Sequence, residues 1–100
     1  MEVNNFNHDN LQIATAMLKA MAHPLRISIL YLLKDGNQLT VTQIHETLNI
    51  EQSTASHHLG ILRDKGVLCS KRDGKNTLYY TKHQVFGQII DCIKTCTCNE

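Results

Sequence analysis

One hundred residues allow a single domain with a modest core, and 42% hydrophobic with 19% charged residues is the balance of a folded globular chain, which excludes a disordered polyelectrolyte. The net charge of +1 excludes nothing about partners, but its distribution is uneven: Arg63, Lys65, Lys71, Arg72, Lys75 and Lys82, six of the ten basic residues, fall in one fifth of the chain against only Asp64 and Asp73. The longest strongly apolar run, Ile27 to Leu33, is far short of the roughly 20 residues that span a bilayer, so no membrane partner is expected.

The start of the chain, MEVNNFNHDN, has neither a basic segment nor an apolar one, so no secretory signal is expected and a cytoplasmic protein is. Residues 1–9 read as a flexible arm. Asp9 or Asn10 then caps a first helix whose Leu11, Ala14, Met17, Leu18 and Met21 recur at helical spacing. A second helix opens at Pro24, which suits a first-turn position, and closes before Gly36. Its apolar residues nearly encircle the axis, as in a buried central helix. Asn37 to Thr40 link it to a third helix, for which Thr40 and Gln43 form a capping box and Val41, Ile44 and Leu48 an inward stripe.

Asn49–Ile50 breaks the third helix and EQST opens a fourth. There Ala55, Leu59 and Leu62 recur on one side as core, while Ser53, Ser56, His57 and Gly60 recur on the other. The period then changes. GVLCSKRDGKNTLYYT sets β-prone runs either side of Asp73–Gly74, a hairpin signal with Asp-Gly at the centre of a type I′ turn, and strands are expected near Val67–Lys71 and Thr77–Thr81. A last helix from about Lys82 to Cys96 carries Val85, Phe86, Ile89, Ile90 and Ile93, with residues 97–100 frayed. The whole is one domain, mainly α with a small β-hairpin, in the order α-α-α-α-β-β-α: a winged helix-turn-helix.

A helix with a flat polar face fits the DNA major groove, about 12 Å wide and lined with hydrogen-bonding base edges. Gln52, Ser53, Thr54, Ser56 and His57 are the candidate contacts on it, with Arg63 further along, and Lys71, Arg72, Lys75 and Asn76 at the hairpin tip supply the flanking cations and donors. The plainer alternative for the charges is a solvated face. Adjacent histidines on a helix point about 100° apart, so His57 and His58 cannot share a metal ion. His58 falls beside the apolar stripe and reads as a packed, hydrogen-bonded residue. No acidic orienter or nucleophile accompanies either, and no enzyme is expected.

LKAMAHPLRISILYLL, STASHHLGILRDKGVL and KRDGKNTLYY, in that order from Leu18 to Tyr80, resemble the ArsR/SmtB family of bacterial winged helix-turn-helix repressors. The resemblance implies a homodimer built on the first and last helices, binding to imperfect palindromes in double-stranded DNA, and release when a metal ion or other effector binds. Leu11, Met17, Leu18, Phe86, Ile89, Ile90 and Ile93 are the corresponding interface candidates here. Either stripe could instead be core of the single subunit.

Two of the family's familiar effector positions are altered. VTQIHETL in the third helix lacks a cysteine pair, and His83-Gln84-Val85 stands where the last helix of zinc and nickel sensors has Asp-x-His. The second helix has no cysteine either. What remains is DCIKTCTCNE: Cys92 and Cys96 are one helical turn apart and Cys98 follows, a thiol set suited to trivalent arsenic, zinc or cadmium as an effector. No cofactor is required by this reading. A redox switch and inert thiols are the alternatives, and Cys69 belongs to a strand rather than to the cluster. A winged-helix protein-interaction module that never meets DNA is the competing function.

Overall fold

The computed structural model describes residues 7–98. Five helices, α1 (His8–Met21), α2 (Pro24–Leu33), α3 (Val41–Leu48), α4 (Gln52–Asp64) and α5 (Val85–Thr97), combine with three strands, β1 (Leu39–Thr40), β2 (Leu68–Asp73) and β3 (Asn76–Thr81). The first helix starts earlier than its sequence suggests. Asn7 is its cap, its side chain accepting from the Asn10 N–H at 2.8 Å, so His8 and Asp9 are helical rather than part of an arm. Residues 1–6 of that expected arm, and 99–100 of the expected frayed end, lie outside the described residues.

The core forms where the apolar stripes meet. Ile29, Leu30 and Leu33 of α2 are fully buried against Ile44 of α3, Leu59 and Leu62 of α4, Val67, Leu68, and Phe86 and Ile90 of α5. Each such aliphatic side chain contributes on the order of 1.5–3 kcal/mol by leaving water. Pro24 occupies the first turn of α2 as expected, and His23 caps that helix by accepting from the Leu25 N–H at 3.1 Å. The capping box of α3 forms as read: the Gln43 N–H donates to Thr40 Oγ1 at 3.1 Å and the Thr40 N–H to Gln43 Oε1 at 2.9 Å. Asn49, left-handed with φ 57°, turns the chain from α3 into α4, a conformation asparagine tolerates better than most residues.

Three details depart from the sequence reading. Leu39–Thr40 is not mere linker but a third strand on the hairpin, Leu39 opposite Tyr79 and Thr40 opposite Leu78, giving the sheet order β1-β3-β2. The hairpin pairs Asp73 with Asn76, so its turn residues are Gly74 and Lys75 rather than Asp73 and Gly74. Only Gly74 has positive φ (65°), as a type II′ turn requires, whereas type I′ needs it at both positions. Finally, α5 begins at Val85, and Lys82 to Gln84 lead into it. Gly87 brings α5 against the short 3-10 turn Lys34–Gly36: a Cβ there would lie 2.9 Å from Lys34 Cβ.

Candidate nucleic-acid interface

The α3–turn–α4 unit carries the polar face. Ala55, Leu59 and Leu62 point inward with no exposure, and this fixes the rotation of α4. Gln52, Ser53, Ser56, His57 and Arg63 are consequently exposed, while Thr54 is half-buried at the edge of the face. Above Gly60 the space is open, with nothing within 4 Å of where a Cβ would stand, so another backbone can come close. The N-terminus of α4 has no side-chain cap, unlike α1, α2 and α3, so its first N–H groups are available to an incoming phosphate oxygen.

The wing follows directly. Gly66 (φ 81°) turns the chain out of α4, and the Val67 N–H bonds the Leu62 carbonyl at 2.9 Å, tying β2 to the end of that helix. Lys71, Arg72, Lys75 and Asn76 are all exposed at its tip. Strand alternation puts Lys71 and Arg72 on opposite faces of the hairpin. The Lys71 ammonium sits 6.0 Å over the Tyr80 ring, on the face of the Cys69–Tyr80 pair, while Arg72 shares the other face with Ser70 and Tyr79.

His58 behaves as a packed residue, 7% exposed, its Nδ1 accepting from the Arg26 Nε–H at 3.1 Å. Burial first, and then the neighbouring His23, Arg26 and His57, hold its pKa below the ordinary 6.5. Its partner is a guanidinium and not a carboxylate, the wrong sign for a general base. Arg26 and His23 were not among the sequence candidates, although both stand in the AHPLR segment. Nothing local signals a bond to a residue 32 positions away.

A family model described as bacterial regulatory protein, arsR family, matches residues 23–69, the span of α2, α3, α4 and the start of β2. The HTH-type transcriptional regulator YgaV of Escherichia coli K12 is 34% identical over 85 residues, covering 85% of this chain and 86% of that protein. This chain belongs to the ArsR family. Among solved structures, the transcriptional repressor PagR of Bacillus anthracis is similar to this ArsR-family protein at 36% identity and a TM-score of 0.79, covering 87% of this chain and 99% of PagR. Another, Mb0332 of Mycobacterium bovis, described as a homodimeric winged helix-turn-helix DNA-binding domain, shares the fold at 21% identity and a TM-score of 0.81, covering 100% of this chain and 91% of that one. The ArsR-family protein is thus a winged-helix DNA-binding transcriptional regulator and not an enzyme. No described helix is long and apolar enough to cross a membrane.

The expected dimer surface of this ArsR-family protein divides in two. Phe86 (6% exposed) and Ile90 (3%) are core of their own subunit, with Met17 and Ile89 packed against that core, because α5 must cover α2 before it can cover anything else. Leu11, Leu18 and Ile93 are exposed, together with Ile13 and Val85, which the sequence reading left out of the interface. Met21, part of the first-helix stripe, is likewise buried. The cysteines are free: Cys69 is half-buried in β2, and Cys92, Cys96 and Cys98 are exposed. Among the described residues no group of three or more His, Cys, Asp or Glu side chains is gathered as a metal-ligating set. Cys92 and Cys96 stand about one turn apart on one face of α5, and Cys98 lies at the helix end, its N–H on the Lys94 carbonyl at 2.8 Å.

Proposed function

We propose that this regulator is a homodimeric repressor that holds an imperfect palindromic operator and lets go when a thiophilic ion or an oxidant acts on the cysteines at the end of α5. The observation carrying the dimer is the placement of the exposed large aliphatics: Leu11, Ile13, Leu18, Val85 and Ile93 all lie on α1 or α5. A two-fold pairing of these helices covers the same patch on both copies and presents two recognition helices to half-sites about one helical turn apart. Repression is the activity named for PagR, and it comes to this chain by similarity.

The exposure of Cys92, Cys96 and Cys98 supports thiol chemistry as the release signal. Trivalent arsenic, zinc or cadmium would have to gather sulfurs from two subunits or reorder the end of α5, since one subunit alone does not converge them. Disulfide formation between subunits makes no such demand and requires a two-electron oxidant. Reduced protein bound to a labelled duplex from upstream of its own gene, followed by fluorescence anisotropy, tests both. Release by arsenite, zinc, cadmium or peroxide, abolished by Cys92→Ser with Cys96→Ser, is expected. An operator complex indifferent to all of them would leave a repressor whose thiols are inert. Failure of every upstream duplex to bind would favour a protein-interaction module instead.

A further inference from the structure

Midway along α4, the recognition helix, one side chain joins three helices. Arg26 of α2 donates through Nε to His58 Nδ1 on α4 at 3.1 Å, and through Nη1 to the Ala20 carbonyl, near the end of α1, also at 3.1 Å. That carbonyl is among the last four of its helix, which have no partner within it. A guanidinium can only donate, so Nδ1 of His58 must be unprotonated, with the ring proton on Nε2. The groups acting on this imidazole are all bases or cations. His23, at the N-cap of α2, faces it with ring centroids 4.6 Å apart, and His57 of its own helix lies at 5.2 Å. Arg26 completes the set, and Lys19 of α1 and Lys65 beyond α4 line the same groove as Arg26.

We infer that His58 is a positioning residue for DNA binding: its Nδ1, held by Arg26, fixes the recognition helix against α1 and α2, and a proton taken up at that nitrogen opens the joint and weakens operator binding. The inference rests on the DNA-binding reading and adds a pH dependence to it. Protonation would set an Nδ1–H against the Arg26 Nε–H, two donors and two positive charges where a 3.1 Å hydrogen bond now stands. The direction follows from linkage. With the folded pKa held below 6.5, the unfolded chain binds the proton more readily, so the joint is intact above that value and is lost as pH falls through the lower, folded one.

The test follows anisotropy of the labelled upstream duplex with the full chain, from about pH 7.5 to about pH 5.5 at constant salt. Wild-type affinity should fall by up to about tenfold per subunit. His58→Asn places an oxygen acceptor where Nδ1 stands and cannot titrate, so its affinity should match wild type at the higher pH and stay flat or tighten at the lower. Identical profiles for the two proteins would overturn the inference while leaving DNA binding intact. Absence of binding at any pH would overturn both. Should the variant not fold, imidazole and guanidinium NMR of the wild type decides: the Arg26 Nε–H resonance should disappear with the midpoint at which His58 titrates. A His58 titration that leaves Arg26 undisturbed refutes the joint.

Discussion

Removing the wing cations one at a time tests the DNA face most directly. Lys71 and Arg72 are adjacent, exposed and on opposite faces of the hairpin, so they cannot both serve the same phosphate. A hairpin tip set edge-on into a minor groove about 6 Å wide meets one phosphate strand at each wall and offers one cation to each. Each cation–phosphate pairing removed should flatten the plot of log affinity against log salt by about 0.9. Over a fourfold rise in salt, from about 50 to about 200 mM, that is about 3.5-fold in affinity per pairing and about twelvefold per subunit for both. Anisotropy titrations at several salt concentrations should give equal, additive slope changes for Lys71→Ala and Arg72→Ala. Ser56→Ala and His57→Ala, on the groove face of α4, should instead alter which sequences are preferred and leave the slope alone. If only one wing variant moves the slope, the hairpin lies flat on the backbone. If neither does, the wing does not touch DNA and the interface lies elsewhere.

Leu11→Asp with Leu18→Asp changes side chains 51% and 60% exposed, so the chain should stay folded while sedimentation velocity shows the loss of the proposed dimer. Phe86→Ala, in the core, should instead cost about 3–5 kcal/mol in urea unfolding with the fold class retained, and a small loss would mean that α5 covers α2 only weakly. Gly87→Ala places a Cβ 2.9 Å from Lys34 Cβ and 3.3 Å from Lys34 Cα, close to backbone that cannot swing away. Even with alanine's better helix propensity, a net loss of about 1–2 kcal/mol is expected, read as a lower urea midpoint at unchanged slope. A raised midpoint would mean that the end of α2 yields freely.

What the sequence determined by itself is whatever depends on near neighbours. Thr40 and Gln43 are three residues apart and cap one helix end, Pro24 is preset for a first turn, and Ala55, Leu59 and Leu62 recur with the period of the helix they bury. The face opposite them was legible for the same reason, and with it the candidate DNA contacts of α4. Only the tertiary structure decided the rest, because each remaining feature joins distant residues. A two-residue strand has no periodicity to detect, and Leu39–Thr40 becomes one only when Tyr79 and Leu78 lie beside it. Phe86 and Ile93 belong to one apolar pattern, yet α2 takes the first and leaves the second exposed, since a single neighbour can cover only part of a helix's girth. The Arg26–His58 bond has no local signature at all: a guanidinium and an imidazole 32 residues apart meet because the burial of α2 against α4 brings them together.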